Sequence, residues 1–155
     1  MSRWHRGEAS IERLIAGDEL KPVTGTQADG QPWIARARRT LTSAAELADT
    51  DPDSAYVLAY DAARFACTAL LTHQGLRPTT TGGHYAIDVA VRDQFGGPFH
   101  QFGGLRRQRN ELEYPALATE NLTPADAAGA VTLATQLIDT AQQLLPNLGL
   151  FTTNR

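Results

Sequence analysis

The sequence has little with which to staple itself, hold a metal or cross a membrane. Cys67 is the only cysteine among 155 residues and sits in an apolar run. That leaves no disulfide framework and no thiolate metal site, and the thiol reads as buried and inert. His5, His73, His84 and His100 are scattered without a His-Glu-x-x-His spacing, so no metal and no cofactor is expected. No stretch approaches the ~18 apolar residues of a membrane helix, and Met1–Glu8 lacks a signal peptide's apolar region. The expectation is a cytoplasmic protein with no membrane partner. Lys21 is the only lysine, so nearly all positive charge is guanidinium, and the net charge is −3. This argues against broad electrostatic binding to nucleic acid but leaves a local arginine cluster free to engage a phosphate or two. Thr79–His84 is not expected to cradle a nucleotide, having no preceding strand and no Gly-Lys-Ser/Thr ending. There is no dinucleotide fingerprint, no Ser–His–Asp case from spacing, no internal repeat and no sustained period-two alternation.

What remains is helical periodicity. Apolar residues make up 42% and charged residues 20%, the balance of a globular chain of one domain, able to bury a core without staples. Ile11, Leu14 and Ile15 share a face of a short first helix, limited by Gly17 and Pro22, and residues 22–32 read as a loop. Trp33, Ala37, Leu41 and Ala44 keep helical period through Ala48. Asp51 and Pro52 supply an N-cap and a first-position proline for the next helix, and Gly75 a stop. Ser54–Gln74 is apolar nearly all round, as expected of a helix surrounded by others. One polar stripe breaks it: Asp61, Arg64, Thr68 and Thr72, read either as an internal Asp–Arg pair or as part of a polar interface. Ile87, Val91 and Phe95 mark a further helix, with His84 at its start as a cap or packed side chain. Gly96-Gly97-Pro98 breaks the chain before a helix over Phe99–Pro115. Thr123, Pro124 and Asp126 open the last helix, whose apolar stripe runs from Val131 to Leu145. The expected fold is all-α: an antiparallel up-and-down bundle of four main helices plus a short N-terminal one, with its core over about 33–145.

Only residues 105–115 have functional character. Arg106, Arg109, Asn110 and Glu113 fall on one helical face at spacings of three and four. Leu105 and Leu112 form a thin apolar seam. Tyr114 lies roughly 140° round from Arg109 on an ideal helix, but Pro115 disfavours the α conformation before it and lets Tyr114 swing at the helix end.

The run Ala59-Tyr60-Asp61-Ala62-Ala63-Arg64, then Ala69-Leu70-Leu71, Gly75-Leu76-Arg77-Pro78, Gly83-His84 and Arg109-Asn110-x-x-Glu113-Tyr114-Pro115, resembles the HEPN domain family. It is most similar to small stand-alone actinobacterial members. The resemblance implies an antiparallel helical bundle that pairs as a homodimer. In active members an arginine, a polar residue and a nearby histidine form a composite site across that dimer, which cuts RNA without a metal. It also implies a toxin–antitoxin or defence setting, with a small nucleotidyltransferase as antitoxin partner. Arg109 then matches the motif arginine, Asn110 the polar residue and Tyr114 the position of the histidine, while Arg106, Arg109 and Glu113 form the phosphate-binding face. A tyrosine of pKa ~10 is about one part in a thousand ionised at neutral pH, a poor base beside a histidine of pKa ~6.5. Three readings follow: a HEPN-like dimer with a degenerate ribonuclease motif that binds RNA, a nucleotide or a partner protein; an active ribonuclease that uses Tyr114 or a borrowed histidine such as His84; or a plain interaction bundle in which Arg106–Glu113 and Asp61–Arg64 are structural pairs.

Overall fold

The longest helix begins where a side chain and a proline meet its unpaired N-terminus. Asp51 accepts a hydrogen bond from the Ser54 N–H at 3.2 Å, and Pro52 fills the first turn. In the computed structural model, which describes residues 6–23, 27–113 and 121–151, this helix is α3, Pro52–His73. It follows α1 (Glu8–Ala16), β1 (Leu20–Pro22) and α2 (Gln31–Leu47). Next come β2 (Leu76–Pro78), α4 (Gly83–Phe95), α5 (Phe102–Glu113) and α6 (Pro124–Leu144). The described residues are thus mostly helical, as the sequence indicates, and none of these helices is long and apolar enough to cross a membrane.

Six alanines in α3 are fully buried (Ala55, Ala59, Ala62, Ala63, Ala66 and Ala69). Side chains this small let neighbouring backbones come close. Gly30, just before α2, lies so near α3 that a Cβ there would overlap the Ala69 carbonyl oxygen. α2 and α6 pack most heavily on α3, and α4 and α5 pack against it as well. Tyr60, Leu70, Leu71, Phe99, Phe102, Leu137 and Ile138 complete one continuous core.

The sheet was not anticipated. Leu20–Pro22 lies at the edge of the expected loop and pairs antiparallel with Leu76–Pro78, Leu20 opposite Pro78 and Pro22 opposite Leu76. Strands of three residues carry no readable alternation, which is why the pattern missed them. β2 therefore does precede the Thr79–His84 segment. Gly82 there nevertheless serves packing: a Cβ on it would overlap the Glu19 carbonyl oxygen, so its absence lets α4 start directly against the chain leading into β1, while Gly83 takes a left-handed φ of 54°. The expected helix from Phe99 instead opens with a 3-10 turn, Gly97–Gln101, and becomes α-helical at Phe102.

The start of α6 carries the full reciprocal cap. The Asp126 N–H donates to the Thr123 hydroxyl at 3.1 Å, and the Thr123 N–H donates to the Asp126 carboxylate at 2.9 Å. Thr123→Ala should lower the unfolding free energy by about 1 kcal/mol in denaturant titration.

Candidate functional site

α3, α4 and α5 bring together residues that are far apart in the chain. Tyr60 is fully buried on α3, and its ring is stacked on Phe102 of α5 with centroids 5.4 Å apart and planes 8° from parallel. Its hydroxyl lies 2.9 Å from Nδ1 of His84 on α4. Burial raises the Tyr60 pKa, so the hydroxyl keeps its proton. It can donate to Nδ1 or turn and accept from Nδ1–H, and so fixes the ring in either tautomer. Nε2 is then left for other work.

His84 is half-buried, and its surroundings disfavour the imidazolium. Burial lowers its pKa most, the Arg64 and then the Arg109 guanidinium lower it further, and Arg106 adds a smaller push against the opposing charge of Asp61. Three arginines from two helices therefore act electrostatically on one neutral imidazole. His84 does not cap α4, since the residue at the cap position is Gly82; it is a packed side chain at the edge of a cleft.

Each of these arginines faces a carboxylate. Arg64 lies 3.5 Å from Asp61, the internal pair anticipated for the polar stripe, and stacks over the Phe65 ring at 4.6 Å. Arg106 does not pair with Glu113. Its partner is Asp88 of α4, buried and 3.7 Å away, and its guanidinium lies 5.6 Å from the centre of the Tyr85 ring. Arg109 and Glu113 form a two-pronged pair at 2.8 and 3.0 Å, one helical turn apart. Pairs of this kind on a helix surface contribute only about 0.3–0.5 kcal/mol. An incoming phosphate can therefore take the Arg109 fork from Glu113 at little cost. Glu113, expected on the phosphate-binding face, is the anion that a phosphate would replace. Asn110 is exposed on α5. Tyr114 lies outside the described residues.

The Nε atoms of Arg64, Arg106 and Arg109 are all buried without a hydrogen-bond partner, and so are Thr68 Oγ1 and Asp88 Oδ1. Unmet polar atoms are few in folded proteins, and here three of them belong to the arginines whose charge acts on His84. Beside it opens a cleft of about 390 Å³ with Arg64, Thr68 and Thr72 on its wall. Thr68 is only 7% exposed, and Arg64, Thr68 and Thr72 carry the polar stripe along this cleft.

Sequence reasoning did not single out Tyr60 or Asp88 as site residues. Asp88 did leave a signal, a lone carboxylate between Ile87 and Val89 in an otherwise apolar run. Gly103 makes room for it, since a Cβ there would sit 2.9 Å from Asp88 Oδ2. Cys67, fully buried with its pKa raised by that burial, is not a nucleophile. Among the described residues no three His, Cys, Asp or Glu side chains gather to hold a metal. Comparison with protein families, with curated proteins and with solved structures gives no match.

Proposed function

We propose that the chain is a HEPN-like RNA-processing domain in which Arg109, Arg64 and Arg106 hold a phosphodiester and His84 moves the proton. The observation that carries this reading is His84 itself. It is oriented by Tyr60, kept neutral by burial and by flanking arginines, and placed beside the helix that bears the motif arginine. It supplies the proton acceptor that Tyr114 is ill-suited to be. In this chemistry His84 is in the tautomer whose Nδ1–H donates to the Tyr60 oxygen, which leaves Nε2 free to accept the proton of a ribose 2′-hydroxyl. That oxygen forms a bond to the adjacent phosphorus while the bond from phosphorus to the 5′-oxygen breaks. The leaving oxygen takes a proton from the imidazolium or from water, and the products are a 2′,3′-cyclic phosphate and a 5′-hydroxyl. The guanidiniums of Arg64 and Arg109 face Asp61 and Glu113 on their own helices and exchange these carboxylates for phosphate oxygens.

The same reading carries an up-and-down arrangement of four main helices, favoured by the short connection from α2 to α3. It also carries a homodimer through α5. Tyr85, 54% exposed beside Arg106, suits such a contact. A nucleotidyltransferase-type antitoxin partner and a toxin–antitoxin or defence role rest on the resemblance alone.

The test is single-stranded RNA binding measured across a range of salt concentrations. Arg109→Ala should weaken binding about tenfold and reduce the salt slope by about one counterion. Unchanged affinity and slope would return Arg109 and Glu113 to a plain surface pair.

A further inference from the structure

His84 and Asp88 lie one turn apart on α4, and Arg106 and Arg109 lie three residues apart on α5. The two helices pack only lightly on each other. An ion pair joins them, with Arg106 Nη2 3.7 Å from Asp88 Oδ2. The carboxylates that face the arginines of the site differ in kind. Asp61 and Glu113 sit on the same helix as the arginine each one faces, and their side chains are 27% and 40% exposed. Asp88 reaches across to another helix, and its side chain is 2% exposed. A phosphate arriving from solvent can displace the first two, but it cannot take the place of a buried carboxylate. Asp88 is also hemmed in: a Cβ on Gly103 would sit 2.9 Å from its Oδ2, and Arg92 stands 3.8 Å from its Oδ1. Oδ1 and the Arg106 Nε both lack a hydrogen-bond partner. A buried ion pair with polar atoms left unmet adds little net stability, because desolvation offsets the attraction. What it supplies instead is placement. Tyr85 of α4 flanks the same guanidinium, its ring centre 5.6 Å away.

We propose that Asp88 is a positioning residue, which stays on Arg106 when a phosphate arrives and so sets the arginines of α5 beside His84, while Asp61 and Glu113 give way. This deepens and rests on the reading of these arginines as a phosphate site. It also separates the three carboxylates by sign. Neutralising any of them removes one negative charge, which by long-range electrostatics alone would strengthen RNA binding every time. Two of them compete with the phosphate, whereas Asp88 holds what binds it.

The experiment is fluorescence-anisotropy titration of a labelled single-stranded RNA with the full chain and its variants, without added metal, across a range of salt concentrations. Glu113→Gln and Asp61→Asn should each tighten binding about twofold, as expected for the loss of a competing exposed pair. Asp88→Asn should weaken binding about tenfold and lower the salt slope by about one counterion, as Arg106→Ala does. In the Arg106→Ala background Asp88→Asn should have no further effect, since an anchor acts only through what it holds. Gly103→Ala keeps every charge and favours the helix, yet its Cβ pushes on the Asp88 carboxylate, so it too should weaken binding. Binding left unchanged or tightened by Asp88→Asn, or by Gly103→Ala where Asp88→Asn does not fold, would overturn the proposal and leave the phosphate site standing. So would an Asp88→Asn effect that persists without Arg106. RNA binding indifferent to both Arg106 and Arg109 would remove the phosphate site itself, and the anchor with it.

Discussion

Replacing His84 with alanine is expected to lower metal-free RNA cleavage by about 10²–10⁴-fold, the usual contribution of a positioned acid or base. The fold should tolerate the change, because the ring is half-buried at the rim of a cleft and the hydrogen bond it makes among the described residues is to Tyr60. The wild-type rate should fall on the acid side only below pH ~6.5, since burial, Arg64 and Arg109 all hold the imidazole below its ordinary pKa. The same shift acts on stability. With the folded pKa depressed, the unfolded chain binds more protons, so the contribution of His84 is complete above pH ~6.5 and is lost as pH falls through the folded pKa. Tyr60→Phe keeps the stacking on Phe102 and removes only the hydroxyl. It should give a smaller loss of rate with the acid limb retained, the mark of a positioning residue. A His84→Ala rate within twofold of wild type would take His84 out of the chemistry.

The second large effect is on stability. Leu70→Ala empties a fully buried site on α3 and should cost on the order of 2–5 kcal/mol. For a chain of this size that is a fall of roughly 4–20 °C in the thermal midpoint. Thr123→Ala, a cap at an exposed helix start, should cost far less, so calorimetry on the pair tests where the core lies. Equal losses at the two positions would place it elsewhere.

These two predictions differ in how far the sequence foretold them. The helix starts were legible because capping is local: Asp51 with Pro52, and Thr123 with Pro124 and Asp126, are chemistry within four residues. So was the burial of α3, from its near-continuous apolar run. The strands were not, because three residues show no alternation and their pairing joins Leu20 to Pro78 across the chain. At the site, Arg109 and Glu113 were legible only as sharing one helical face, since Glu113 was given to Arg106, while the Asp61–Arg64 pair was visible as a stripe. The carboxylate of Arg106 was misassigned because Asp88 reaches it from another helix, through a gap left by Gly103. His84 was named only as one histidine that such a site could borrow. Its contact with Tyr60, 24 residues away, depends on how α3 and α4 pack, which no spacing encodes.

The central claim is that His84 and Arg109 act on one phosphodiester. The most direct measurement is the chemistry of the RNA ends formed when a labelled single-stranded RNA is incubated with the wild type, His84→Ala and Arg109→Ala in excess chelator. The account predicts 2′,3′-cyclic phosphate and 5′-hydroxyl ends from the wild type, and loss of both products in either variant at an unchanged thermal midpoint. Cleavage by the wild type no greater than in a protein-free control, or equal cleavage by all three proteins, would contradict it.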